Sequence, residues 1–370
     1  MAQPTVEDVA REANVSRQTV SNVINTPSIV KPATLDRVQL AIARLGYRPN
    51  LSARRLRQQK SSTIGVRLDP IRNGISGAML DHFVHALTEQ ADARSMRVLL
   101  FTAASPEDEI EQIRSLHEGA DVDAFVLTAT AHGDRRIAWL IENDVPFVTF
   151  GRPWGIDDMD DPKHLWVDID GRQGIKDATV RLIDNGAKRV GWVGWPRPSG
   201  TGDDRRRGWE EAMRERLGAS EAELAALSVE SYDGVSEATE TVADMLRSGE
   251  LPDALVCASD SLALGALIAA SSAGLTDLPI IGFDNTPVAE AVGLSSIDQV
   301  LNRVAVATFE LLLGREGNSI VVRGPDAGES HRLIRPALVL RTPNHLPLYG
   351  TTTTQRTAPA VRNHHRKETS

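Results

Sequence analysis

Apolar positions early in the chain recur with the period of an α-helix, whereas beyond residue 62 they gather into short continuous runs. Val6, Val9, Ala10 and Ala13 fall at i, i+3, i+4 and i+7, which predicts a short amphipathic helix with Thr5 and Asp8 forming a capping box at its start. Asn14-Val15 interrupts that pattern. Asn tolerates a left-handed turn, and Ser16 can then cap a second helix that turns Val20, Val23 and Ile24 inward. A third helix is predicted from Lys31, with Pro32 in its first turn, Leu35, Val38, Ala41, Ile42 and Leu45 along it, and Gly46 at its end. Three such helices can close a small core.

The later runs, TIGVRL, RVLLFTA, AFVLTA, PFVTF, LWVDI, RVGWVGW, ALVCAS and PIIGFD, suit buried parallel strands. Segments 78–94, 106–118, 171–185, 235–248 and 260–273 between them read as crossover helices, so the expected body is doubly wound α/β with strands enough for two sheets. Ligands of such sheets bind beyond the carboxyl ends of the strands. There lie Asp69, Phe150-Gly151-Arg152, Trp195, Ser259-Asp260 and Asp284, with Trp154 also just past a strand end. The stretch LIRPALVLR is expected to form one closing strand, and residues 351–370, with one Val and no Leu, Ile or aromatic residue, a disordered tail.

At roughly 150 residues per domain, 370 residues predict two or three domains. Hydrophobic residues at 41% and charged residues at 25% are the balance of a soluble globular protein. No apolar run is long enough to span a membrane, and residues 1–20 carry acids where a signal peptide has an apolar stretch, so export and membrane spanning are not expected. The single Cys257 offers no internal disulfide and no thiolate cluster, which makes the reducing cytoplasm the expected compartment. No G-x-G-x-x-G follows a strand, and Walker loop, H-E-x-x-H and G-x-S-x-G patterns are absent, so nucleotide, metal and hydrolase chemistry carry no signal. His82 and His85 share a helix face without a third ligand group; neither metal nor cofactor is expected.

The net charge of −9 conceals a segregation. Residues 1–60 carry ten Lys or Arg against four Asp or Glu, a balance of +6, and the remainder carries −15. A basic terminal module on an acidic body is the footprint of one small domain that meets phosphate. Arg17, Gln18, Ser21 and Asn22 leave the second predicted helix opposite its apolar stripe, near the end that a recognition helix inserts into the major groove. Arg can pair bidentately with guanine, and Gln or Asn with adenine.

TVEDVAREANVSRQTVSNVIN, followed by LGYRPN and LSARRLR, resembles the LacI-type family of bacterial transcription regulators (LacI/GalR). The resemblance implies a small all-α helix-turn-helix headpiece on an α/β core of two subdomains like a periplasmic sugar-binding protein. The matching domains are a headpiece at 1–49, a hinge helix and linker at 50–60, an effector-binding and dimerisation core at 61–342, and the tail at 343–370. The implied DNA contacts are Thr5, Ser16, Arg17, Gln18, Thr19, Ser21, Asn22, Asn25, Tyr47, Asn50, Ser52, Ala53, Arg54 and Leu56, the last as a wedge between central base pairs of the minor groove. In the core, the pattern DDRRRGWEEAM implies that Arg205 contacts effector, ASDSLALGAL gives Ser259 and Asp260, IIGFDNT gives Asp284, and SSIDQV gives Gln299; Asp69, Arg152 and Trp195 complete the expected effector set. Asn14 stands where the family usually has Gly, Ser259 where it has Asn, and Ile71 to Ser76 where it has Asn-Pro and two aromatics.

The expected function is therefore a cytoplasmic, homodimeric, non-enzymatic transcription regulator, a repressor by resemblance, whose affinity for a near-palindromic double-stranded operator is set by a small ligand, a sugar, in the core cleft. Arg and Asp facing one cleft suit vicinal hydroxyls, since guanidinium donates in a fork and carboxylate accepts from two hydroxyls. Two alternatives compete: the same fold answering to a purine or other non-sugar metabolite, and an α/β enzyme carrying a DNA-binding module. The enzyme lacks a phosphate loop and a base-nucleophile pair, and an exported binding protein lacks a signal peptide.

Overall fold

Thr5 caps the first helix, α1 (Val6–Glu12), and the Asp8 carboxylate accepts in return from the Thr5 amide at 2.9 Å. Asn14 takes up φ 49°, the left-handed turn expected of it, and Ser16 caps α2 (Arg17–Asn25) by accepting from the Thr19 amide at 3.1 Å. A 3-10 turn at Pro27–Ile29 leads to α3 (Pro32–Leu45), which stops at left-handed Gly46. Val9, Val20 and Val38, one from each helix, are fully buried together. At about 1.5–3 kcal/mol for each such side chain, this core is small but sufficient to orient the outer face of α2. This computed structural model describes residues 4–47, 61–68, 77–154, 159–248, 251–313, 320 and 329–341.

The body holds two six-stranded sheets. The first is wholly parallel, in the order β11-β5-β4-β3-β1-β2, from β1 (Thr63–Leu68), β2 (Arg97–Thr102), β3 (Ala124–Leu127), β4 (Phe147–Phe150), β5 (Leu165–Ile169) and β11 (His331–Ile334). Crossovers α4 (Gly77–Asp92), α5 (Pro106–Glu118) and α6 (Arg135–Glu142) connect it. The second sheet runs β12-β10-β9-β8-β6-β7, from β6 (Val190–Gly194), β7 (Ser228–Glu230), β8 (Ala254–Cys257), β9 (Ile280–Phe283), β10 (Ser295–Asp298) and β12 (Ala337–Val339). Its helices are α7 (Gly171–Asp184), α8 (Gly200–Leu217), α9 (Glu221–Ala226), α10 (Val235–Arg247), α11 (Asp260–Ser272) and α12 (Pro287–Ala291). After β10 the chain returns to the first sheet, where α13 (Leu301–Leu313) packs on α4 and β5.

The chain therefore passes between sheets at residue 170, at 299–300 and at 335–336. The last passage corrects the expectation of one closing strand in LIRPALVLR. Arg335-Pro336 divides that run, because proline offers no amide to a ladder; His331–Ile334 joins the first sheet parallel to β5, and Ala337–Val339 joins the second antiparallel to β10. Close packing of α7 on α8 needs Gly208, since a Cβ there would collide with the Arg172 carbonyl. Among the described residues, no helix is long and apolar enough to cross a membrane.

Candidate functional site

The facing ends of the two sheets enclose a cleft of about 560 Å³. Its chemistry centres on Arg205. Ser199 caps α8 through the Gly202 amide, and this start places Asp204 and Arg205 in the second turn, turned toward the cleft. Arg205 is 5% exposed, with its guanidinium carbon 3.5 Å from the centroid of the Phe283 ring and 5.4 Å from that of Trp195. Nη1 donates to the Ala258 carbonyl at 2.6 Å and lies 4.0 Å from Asp284, whereas Nε has no partner in the protein. Burial pulls the pKa of this guanidinium down, against the attraction of Asp284, Asp168, Asp233 and Asp204.

Asp284 follows β9 at φ 112°, a conformation rare outside glycine, and accepts from Gln299 Nε2 at 2.6 Å. Burial pushes its carboxyl pKa up to about 7. The Trp195 indole N–H and the Thr128 hydroxyl, both on the cleft lining, are also buried without a partner in the protein. A ligand that supplies acceptors to Trp195 and Arg205 would satisfy groups that the fold leaves unpaired.

A second arginine spans the cleft. Gly151, at φ 124°, turns the chain after β4; a Cβ there would press within 2.5 Å of the Thr130 hydroxyl. Arg152 then donates through Nε to Asp168 at 2.6 Å in the first sheet and through Nη2 to Asp204 at 3.0 Å on α8. Burial opposes the charge of Arg152, but Asp168 and Asp204 outweigh it and raise the pKa. Its guanidinium lies 4.6 Å over the Trp154 ring, which itself rests on Gly200 at the start of α8.

In the headpiece, Arg17 and Gln18 are exposed at the start of α2, Arg17 paired with Glu7 at 2.9 Å. Gln18 donates to Asn22 at 3.0 Å, so the two amides form one polar ridge. Thr5, Ser16 and Thr19 are occupied in capping, and Tyr47 packs against the core of the three helices.

Residues 5–50 match the bacterial regulatory proteins of the lacI family, and residues 179–342 match the periplasmic binding protein-like domain. Over 342 residues the chain is 31% identical to catabolite control protein A of Staphylococcus epidermidis, an alignment covering 89% of this chain and 97% of that protein. The chain belongs to the lacI family. It is thus a DNA-binding transcriptional regulator with a ligand-binding core, and its fold is a helix-turn-helix headpiece on a periplasmic-binding-protein-like core of two sheets. Solved relatives agree: a LacI-family regulatory protein from Chloroflexus aggregans (30% identity, TM-score 0.67, covering 76% of this chain and 98% of that one) and a complex of the transcriptional regulator CelR with cellobiose (26%, TM-score 0.64, 92% and 100%). The lac repressor dimer bound to operator, at 23% identity and TM-score 0.71 over 92% of this chain and 98% of that one, shares the fold.

Against this lacI-family frame, the structure brings Arg152, Trp195, Arg205, Asp284 and Gln299 to one cleft. Ser259 and Asp260, expected to bind effector, are not on its lining. Ser259 caps α11 and donates to Asp233 at 2.5 Å. Asp260 is fully buried, accepting from the Thr286 amide and hydroxyl at 2.7 and 2.9 Å and from the Ser296 hydroxyl at 2.6 Å, so it ties strand ends together and has no face left for a ligand. Asp69, Asn50, Ser52, Ala53, Arg54, Leu56 and the tail at 343–370 lie outside the described residues, as does the side chain of Asn25. Sequence reasoning missed Asp168, Asp204 and Asp233. An acid inside the otherwise apolar run LWVDI was a usable signal for Asp168, and Asp204 stood next to Arg205; Asp233 follows a strand too short to recognise. Among the described residues, no cluster of His, Cys, Asp or Glu could hold a metal ion.

Proposed function

We propose that this protein is a homodimeric repressor whose operator affinity is controlled by a sugar held in the cleft. The observation that carries the ligand class is Arg205, buried against Phe283 and Trp195 with an unpartnered Nε and with carboxylates on the facing walls. Aromatic faces cover the apolar side of a sugar ring, while Arg and Asp take its hydroxyls. CelR, similar along 92% of this chain, binds cellobiose, which supports the same use of the cleft here.

On the DNA side, Arg17, Gln18, Ser21 and Asn22 at the start of α2 would enter the major groove, and residues 50–56 would follow into the minor groove. Ligand coupling requires different affinities for two arrangements of the two sheets, and Arg152, bonded to Asp168 in the first sheet and to Asp204 on α8 beside the second, is placed to sense them. Selection of operator sequences with the full chain, followed by gel shifts against a panel of sugars and purines, tests the proposal. A sugar should change operator affinity; a response to purines alone would overturn the ligand class. Gln18→Ala should weaken the selected site by about 1–3 kcal/mol and relax one base position. Light scattering should give a dimer.

A further inference from the structure

The core begins at Ser61, where the stretch that the sequence marks as hinge and linker ends. One carboxylate clamps that junction. Asp123, directly before β3, accepts from the Ser61 amide through Oδ1 and from the Ser62 amide through Oδ2, each at 2.7 Å, while its own amide donates to the Thr63 carbonyl at 2.9 Å. Ser61 is 1% exposed, and its hydroxyl accepts from the Thr63 amide at 3.2 Å. Ser62 sits at φ 51°, a left-handed conformation uncommon for serine, and turns the chain as it enters β1.

The second sheet holds a matching brace, and the two differ in one respect. Asp253, directly before β8, accepts from the Lys188 and Arg189 amides at 2.8 and 3.1 Å, both through Oδ2, and donates its own amide to the Arg189 carbonyl at 2.8 Å. Thr63 and Arg189 thus hold equivalent places, opposite Asp123 and Asp253. Bracing the start of a strand needs only the pattern at Asp253. At Asp123 that pattern is moved one residue upstream, onto Ser61 and Ser62, and the Thr63 amide is left to the Ser61 hydroxyl.

We propose that Asp123 is a positioning residue for DNA binding: it fixes the point from which each headpiece is tethered, so that two headpieces meet two half-sites at one spacing. This rests on the reading of a dimer on a near-palindromic operator. Without the clamp, Ser61 and Ser62 would join the tether and add a reach of up to about 7 Å, roughly two base-pair steps, at about 3.3–3.6 Å per extended residue. A longer tether lowers the effective concentration of the second headpiece at its half-site and blurs the spacing.

The test selects operator sequences with the full chain and then compares the parent in gel shifts with three variants. Asp123→Asn opens the clamp; Asp253→Asn removes the same charge from the matching brace; Gly-Gly inserted between Lys60 and Ser61 lengthens the tether and leaves both braces intact. Asp123→Asn and the insertion should each weaken operator binding by about fivefold or more and shrink the parent's penalty for one base pair added at the operator centre, whereas Asp253→Asn should stay within about twofold. Urea unfolding should place the two Asn variants together and the insertion with the parent. Operator binding unchanged in Asp123→Asn or in the insertion, or equally lost in Asp253→Asn, would overturn the inference and leave the regulator reading standing. A parent chain that binds one half-site as tightly as the full operator would overturn the paired-operator reading and this inference with it.

Discussion

Two buried arginines, 69 residues apart in the chain, have opposite environments. Arg136, in the first turn of α6, has all three nitrogens engaged: Nε with Asp134 at 3.0 Å, Nη1 with both oxygens of Glu109 at 2.9 and 3.1 Å, and Nη2 with Asp134 and the carbonyls of Thr128 and Ala129. Burial works against its charge, yet Asp134 and Glu109 outweigh burial and raise its pKa. Arg205 is equally buried, but its nearest carboxylate is 4.0 Å away, its Nε is unpartnered, and burial lowers its pKa. A saturated guanidinium acts as a strut and an unsaturated one keeps capacity for a ligand. Arg136 supports, from behind, the loop at 128–130 that lines the cleft, including Ala129 at φ 53°.

Arg136→Met should have the largest effect of all. Glu109 at 1% exposure and its neighbour Asp134 would lose their main counter-charge, and breaking a buried pair from one side costs about 3–5 kcal/mol. Arg67, whose Nε lies 3.3 Å from Glu109, holds the loss toward the lower end. Urea unfolding measures it; a loss below about 1 kcal/mol would end the reading of Arg136 as a strut. Arg205→Met should do the reverse, changing stability by less than about 1 kcal/mol because removal relieves an incompletely paired buried charge. Sugar affinity should fall by about 2–4 kcal/mol while operator affinity of the ligand-free protein is retained. A stability loss like that of Arg136→Met would erase the contrast between the two arginines.

Asp284 sharpens the contrast through pH. Its folded pKa of about 7 lies above the usual carboxylate value of 3.8, so the folded state holds this proton more tightly than the unfolded chain. The resulting stability is fully present below about pH 4 and is lost as pH rises to about 7. Asp284→Asn should therefore flatten stability over that window relative to the parent chain, as followed by urea unfolding at successive pH values. Sugar affinity of the parent should rise as pH passes through about 7, because an ionised Asp284 accepts better from hydroxyls; identical pH profiles for parent and variant would remove Asp284 from both roles.

Strands β1–β6, β8 and β9 and the crossover helices α4, α5, α7, α10 and α11 were legible because period and local composition report burial within one element, whereas the short β7 and β10 and the helices α6, α8 and α13 were not among the expected elements. The headpiece was legible for the same reason, down to Asn14, since caps and turns act within a few residues. Side-chain partnerships across elements were not. Ser259 and Asp260 stood at a strand end as expected, but whether an acid there faces the cleft or a neighbouring strand depends on Thr286 and Ser296, more than 20 residues away. The strut was equally hidden: Glu109 and Arg136 look like solvated charges on two amphipathic helices until those helices are brought together.

The smallest expected effect lies where strut and cleft meet. The Thr130 hydroxyl donates to the Arg152 carbonyl at 2.7 Å and so joins the loop braced by Arg136 to the residue that spans the two sheets. Thr130→Val keeps the branched shape but removes the hydroxyl, leaving the Arg152 carbonyl without that donor. One such bond contributes about 1 kcal/mol, and the site is only half-buried, so unfolding should shift by about that amount or less. If the brace is transmitted to the cleft, sugar affinity should weaken about three- to fivefold, because Arg152 is then less firmly held between Asp168 and Asp204. An unchanged affinity beside a measurable stability loss would confine Arg136 and its loop to holding the first sheet together. A loss of affinity as large as that of Arg205→Met would instead make Thr130 a direct ligand contact, and the division between the bracing arginine and the binding arginine would no longer fall at this loop.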